Sequence, residues 1–235
     1  MAYTFRVYAP NSTGTTVDMS ANPPAAGEVG LAWSVSDSTS TSGTGPGTGW
    51  TQIGSWQVTT TDAQSLAVWI KNTAWAGGET SLDITTSTVN LNGVMAIGGV
   101  DATTFQDVAA PAAANNNTGV ASVGTITNSI TPTTNGSLII AIKGTDNLSN
   151  VDTTHTFSGG GLTWTTRADQ YDSSFRNVGV CTAEQTTAAA ITVTGSSTYS
   201  TGNAGQAMFV LALRNASPPA GGSSIMRQMM AHHGA

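Results

Sequence analysis

Charged side chains are scarce in this sequence. Asp, Glu, Lys and Arg make up 9% of its 235 residues, whereas about a quarter is typical of globular proteins. Seven basic and thirteen acidic residues give a formal net charge of −6, so no basic patch is available to neutralise the phosphates of a nucleic acid. We therefore expect no nucleic-acid partner and a polar surface made mainly of Ser, Thr, Asn and Gly.

Cysteine and long apolar segments are also nearly absent. The single cysteine, Cys181, excludes an intramolecular disulfide, and its place in the run Val178-Gly179-Val180-Cys181 predicts a small buried core residue. No apolar stretch approaches the roughly 20 residues of a membrane span, so we expect no membrane partner. The first residues look strand-like and lack the regions of a secretory signal. We therefore expect synthesis in the cytoplasm without a signal peptide.

What the sequence does contain is an internal repeat. Similar stretches recur in the same order: 27–37 with 136–146, 49–53 with 163–167, 66–71 with 178–183, 81–85 with 190–194, and 93–97 with 206–213. Such a repeat predicts two similar sets of strands. We place the two pseudo-repeats at about 20–100 and 130–215.

Short apolar or alternating runs bounded by Gly-rich and Ser-rich turns predict an all-β protein. The strands are expected at 3–9, 28–36, 50–58, 65–71, 80–86, 93–99, 120–126, 137–143, 154–157, 163–169, 177–184, 190–194 and 206–214. No segment before residue 216 has a sustained helical period. We predict one domain over 1–215, a jelly-roll-like antiparallel β-sandwich of two sheets, with residues 109–114 crossing between its similar halves.

The C-terminal segment differs in composition from the rest. Residues 216–224 have the composition of a linker, and Ile225, Met226, Met229 and Met230 would share one face of a short helix. We predict that 216–235 is a linker and docking tail, whose Met side chains adapt to a groove on a partner protein. The alternative is a frayed or added end.

Groups suited to catalysis are few. His155 lies in a Thr-rich, strand-like segment, but no Gly-x-Ser-x-Gly motif supports a nucleophile beside it. The three glutamates, Glu28, Glu79 and Glu184, are isolated in sequence, so no obvious carboxylate pair serves glycoside hydrolysis. We predict no enzyme, with a hydrolase of lectin-like fold as the last of three alternatives.

One cluster of oxygen-bearing side chains lies between residues 146 and 152. Asp146, Asn150 and Asp152 are of the type that binds Ca²⁺, but Asp and Asn also form turns. We favour a turn and predict no cofactor, with Ca²⁺ as the alternative.

The tryptophans divide according to the repeat. Trp50 and Trp164 occupy equivalent positions, which predicts a shared core role. Trp56 and Trp75 have no counterpart in the second half, so of the six tryptophans they are the best suited to a surface or interface, where they would stack on a glycan. A core position is nevertheless the favoured interpretation for each tryptophan. The 38–48 loop is likewise not shared between the halves.

Several short motifs occur in a recognisable order. They are Gly49-Trp50-Thr51, Val68-Trp69-Ile70-Lys71, Gly77-Gly78-Glu79, Ile97-Gly98-Gly99-Val100-Asp101, Pro111-Ala112-Ala113-Ala114, 162–167 and 208–214. Together they resemble a family of β-sandwich structural or surface proteins found in bacterial, archaeal and bacteriophage genomes. The resemblance covers roughly residues 20–215. It implies a concanavalin-like or jelly-roll sandwich and transfers no catalytic residue.

These features together predict a non-enzymatic virion structural protein of a tailed bacteriophage, a capsid decoration, cement or head-associated protein found in the extracellular particle. Its expected partners are other capsid or tail proteins, or further copies of itself as a homo-oligomer. The contact would be made by the tail or by the N-terminal strand. The alternative is a carbohydrate-binding adhesion module that recognises host glycans through Trp56 or Trp75.

Overall fold

The described part of the chain is built from antiparallel strands and contains no helix. The computed structural model describes residues 2–9, 14–36, 45–57, 65–85, 90–116, 123–146, 154–171, 176–198 and 205–216. The strands are β1 (Thr4–Tyr8), β2 (Thr16–Asp18), β3 (Val29–Ser36), β4 (Trp50–Gln57), β5 (Ser65–Lys71), β6 (Ser81–Asp83), β7 (Asn90–Gly98), β8 (Ala114–Asn116), β9 (Val123–Ile130), β10 (Ser137–Asp146), β11 (His155–Ser158), β12 (Thr165–Tyr171), β13 (Arg176–Gln185), β14 (Ile191–Thr198) and β15 (Gln206–Leu213). The all-β prediction is confirmed, and every predicted strand overlaps an observed one. Only the three-residue strands β2 and β8 were missed.

The two halves of the chain form sheets of the same topology. The first half has a five-stranded sheet of order β4-β5-β3-β7-β1, and the second has one of order β12-β13-β10-β15-β8. Each half adds a smaller sheet, β2-β6 in the first and β11-β14-β9 in the second. Every pair of segments in the predicted repeat therefore occupies an equivalent place in its half. The sequence repeat is a repeat of structure.

Even an irregularity of the edge strands is repeated. The register of β4 on β5 shifts between Gln52 and Gly54, and that of β12 on β13 shifts between Thr166 and Ala168. Such a β-bulge holds one extra residue that bends the strand and redirects a side chain. Ile53 and Arg167 are those residues, at equivalent positions of the two halves.

The layers follow from strands that are apolar on both faces. In β3, Leu31 and Trp33 belong to a large cluster between the two five-stranded sheets, while Ala32 belongs to a cluster under the small sheet β2-β6. In β10, Ile140 and Ile139 divide in the same way between the large cluster and the one under β11-β14-β9. The protein is thus a four-layered sandwich.

The sandwich was predicted to have two sheets, and the structure has four. The two large sheets form the expected sandwich, but each carries a smaller sheet on its outer face. The physical reason is that β3 and β15 are buried along their whole length and β7 up to its last residue, because a strand that is apolar on both faces must be covered on both faces.

The connection between the halves is held by backbone hydrogen bonds. Val100 and Gln106 form isolated bridges with Asn215 and Leu213, at the end of β15. The Arg214 N–H donates to the Phe105 carbonyl at 2.7 Å. The segment before the predicted crossover at 109–114 therefore lies along the last strand.

Candidate functional site

Trp56 and Trp75 lie in the interior, so they are not the surface or interface aromatics that glycan stacking would need. Trp56 is 7% exposed and belongs to the cluster between the large sheets, while Trp75 is 4% exposed and belongs to the outer cluster of the first half. Trp75 packs edge-on against Trp50 at 5.7 Å between ring centroids, and Lys71 Nζ lies 5.0 Å from its ring centroid. With their rings packed against core neighbours, neither offers a sugar an open face for stacking.

The equivalent tryptophans of the two halves occupy matching places, but at the edge of the core and not within it. Trp50 and Trp164 are each partly buried against the outer cluster of their own half, and Trp164 stacks on Phe157 at 6.3 Å. Cys181 is 2% exposed, as expected. Burial raises the pKa of its thiol to about 11, which keeps it protonated and unreactive at neutral pH.

Several predicted residues cannot be placed. Ile225, Met226, Met229 and Met230 of the tail, and Asn150 and Asp152 of the calcium alternative, lie outside the described residues, while Asp146 ends β10. Within the described ranges, no three or more His, Cys, Asp or Glu side chains come together to hold a metal ion. In the same ranges no helix is long and apolar enough to cross a membrane.

His155 joins a row of three side chains that has the order of a catalytic triad. Its Nδ1–H donates to Asp169 Oδ1 at 2.7 Å, and its Nε2 lies 3.5 Å from Thr145 Oγ1. No sequence pattern predicts this row, because its three residues lie on three different strands, β11, β12 and β10.

Burial argues that the row is structural. Thr145 and the His155 side chain have no exposed surface, so a substrate carbonyl has no route to the hydroxyl. The His155 ring lies directly over Gly179 of β13, where a β-carbon would collide with it. The row thus ties β11 to the large sheet.

Lys143 is a second buried polar group of the second half. It is fully buried on β10, and its Nζ donates to the Gly124 carbonyl at 3.1 Å and to the Ser197 hydroxyl. Burial lowers its pKa from 10.5 to about 7, because a charged ammonium is poorly solvated there. Lys143 thus links the large sheet to the small sheet on its outer face.

The buried carboxylates also hold loops in place. Asp107 accepts hydrogen bonds from the N–H groups of Thr133 and Thr134, at 2.6 and 3.1 Å, and from both of their hydroxyls. Burial by itself would raise the Asp107 pKa, but these hydrogen bonds outweigh it and lower the pKa. In the first half, Glu28 accepts two hydrogen bonds from Arg6 Nε at 3.0 and 3.1 Å. Both carboxylates therefore make hydrogen bonds that hold the fold together.

One open groove lies where the two halves meet. Its volume is about 420 Å³, and it is bounded by β1 of the first half and by β12, β13 and the adjoining turns of the second. The residues that line it are Phe5, Leu138, Gly161, Leu162, Thr163, Thr165, Arg167, Thr182, Ala183, Glu184 and Thr186.

Arg167 is the central polar group of this groove. Its guanidinium carbon lies 3.6 Å from the centroid of the Phe5 ring, and its Nε–H donates to Thr182 Oγ1 at 2.8 Å. Partial burial lowers the Arg167 pKa, and the charge of nearby Glu184 raises it. A guanidinium stays charged in proteins, so the groove holds a cation fixed in place beside a carboxylate.

Sequence reasoning did not identify the groove. In the sequence, Glu184 is an isolated acid and Arg167 is one residue of a predicted strand. One signal was available, since aligning the repeats places the charged Arg167 opposite the apolar Ile53.

Comparison with protein-family models, with curated proteins and with solved structures found no match to this chain. The resemblance to β-sandwich proteins of phages and prokaryotes therefore stays a prediction.

Proposed function

We propose that this protein is a non-enzymatic structural protein of a tailed bacteriophage particle, bound to the capsid or head as a decoration or cement protein. The proposal that the protein is not an enzyme rests on one observation, namely that its buried polar groups hold parts of the fold together. Asp107, Glu28, Lys143 and the His155 row each join elements of the sandwich, and none of them lies free at the wall of a cleft.

The architecture supports a role in assembly. Two similar sandwiches packed through their large sheets form a thick body with few charges, suited to broad hydrogen-bonded contacts with neighbouring proteins. The assignment to a phage particle depends on the resemblance of the sequence motifs. Attachment through the tail depends on its linker composition and clustered methionines.

The first experiment asks whether the protein is present in the particle. Mass spectrometry of purified phage particles should find this chain at a constant copy number relative to the major capsid protein. Its absence from particles made by a host that expresses it would refute the proposal.

The second experiment tests the tail. Deletion of residues 217–235 should leave a folded sandwich, because the described strands end before this segment, and should abolish incorporation into particles. Met229→Ser with Met230→Ser should weaken incorporation, whereas the control Arg227→Gln should not. Normal incorporation of the deletion variant would rule out the docking tail, even if the protein is a particle component.

A second candidate function is glycan binding, although not through the tryptophans that the sequence suggested. The predicted tryptophans are buried, but the groove at Arg167 is open and polar.

A further inference from the structure

We infer that the groove around Arg167 is a binding site for an uncharged, hydroxyl-rich ligand, a neutral saccharide about the size of a disaccharide. This site is separate from the proposed structural role, and it uses none of the tryptophans suggested by the sequence. Its volume of about 420 Å³ lies within the range of about 300–1,000 Å³ typical of small-molecule sites.

The first argument is the break in the internal symmetry. At the equivalent bulge of the first half stands Ile53, which packs against the cluster between the large sheets. At the bulge of β12 stands Arg167, which lines the groove instead. Bulges redirect side chains and are frequent beside binding sites. Because Ile53 forms the same bulge without a charge, the bulge itself does not explain why residue 167 is an arginine.

The second argument is that Arg167 is held in place with donors to spare. Stacking on Phe5 and the bond to Thr182 hold the guanidinium plane, a geometry in which the cation–π contact is favourable. The bond from Nε to Thr182 is the one hydrogen bond that the Arg167 guanidinium makes with the described residues. Its terminal N–H groups therefore have no partner within the described part of the molecule.

The third argument is the balance of donors and acceptors. Glu184 is exposed, and no donor from the described residues reaches its carboxylate. Sugar hydroxyls both donate and accept, so a ring between Arg167 and Glu184 would satisfy both groups. Thr163, Thr165 and Thr186 add hydroxyls along the wall.

The charges of Arg167 and Glu184 favour a neutral ligand over an anion. The cation and the carboxylate cancel in net charge, so an anion drawn to Arg167 would also meet the repulsion of Glu184. Leu162 and Ala183 supply an apolar part of the wall, which matches the C–H face of a pyranose.

The experiment measures saccharide binding by the full chain. Saturation-transfer NMR and calorimetry would be run with glucose, galactose, mannose, N-acetylglucosamine, maltose and lactose, and with glucuronic acid as an acidic arm. We expect binding of at least one neutral sugar by the wild type. Arg167→Ile should weaken it at least about tenfold, because the hydroxyls that pair with the guanidinium lose their donors.

The variants are chosen to keep the fold. Isoleucine occupies the same bulge in the first half, and Glu184→Gln supplies a second test that preserves shape and should also weaken binding. Lys71→Met is the matched control, since it removes a cation that lies near aromatic rings outside the groove. No binding of any neutral sugar, binding of glucuronic acid alone, or equal binding by wild type and both groove variants would each overturn the assignment.

Discussion

The buried ammonium of Lys143 makes a quantitative prediction about the pH dependence of stability. Its pKa is about 7 in the folded protein, against 10.5 for a solvated lysine. Between these two values the unfolded chain binds the proton and the folded chain releases it. The free energy of unfolding therefore rises with pH across this window. Below pH 7 both states are protonated, and the full cost of burying the charge is present.

The magnitude follows from the difference in bound protons. Each pH unit well inside the window adds about 1.4 kcal/mol, and because the gain begins only near pH 7, the total between pH 6 and pH 9 is about 3 kcal/mol. The solvent does not screen this effect, because the Lys143 side chain is fully buried.

The measurement compares the wild type with Lys143→Met, a neutral side chain of similar length. Urea unfolding at pH 6, 7, 8 and 9 gives the free energy of unfolding of each. The wild type should gain about 3 kcal/mol relative to the variant across this range, while contributions from other titrating groups cancel in the comparison. Parallel pH profiles of the two proteins would refute the idea that Lys143 is deprotonated by burial.

Two further substitutions test the packing and the loop contacts. Gly54→Ala should lower the free energy of unfolding by about 1–3 kcal/mol, because a β-carbon there would collide with the Phe209 ring. The control is Gly14→Ala, which should change the free energy of unfolding by less than about 0.5 kcal/mol because the space around Gly14 is open. Thermal and urea unfolding would measure both, and equal losses would contradict the collision. Asp107→Ala should cost about 1–3 kcal/mol near neutral pH, because it removes the acceptor of the N–H groups of Thr133 and Thr134. That contribution is present above the usual Asp pKa and is lost as the pH falls through the lowered one. Asp101→Ala, which removes similar bonds at an exposed turn, should have a much smaller effect.

The sequence alone determined the strands and the repeat. The residues of β5 show why, since Leu66, Val68 and Ile70 face the cluster between the large sheets and Trp69 faces the outer cluster. This alternation is a local property with a period of two, so it can be read from neighbouring residues. β2 and β8 escaped prediction because each is only three residues long, whereas the equally short β6 could be recognised from its counterpart in the repeat.

Other features depend on contacts that form only in the folded molecule. The tertiary structure placed Trp56 and Trp75 inside, and it assembled the His155 row and the Lys143 contacts from residues far apart in the chain. It also brought Phe5 of the first half against Arg167 of the second. Contacts between distant strands depend on which sheets pack together, and no local pattern encodes that choice. The repeat could be read from the sequence, but the groove where its symmetry breaks exists only in the folded molecule.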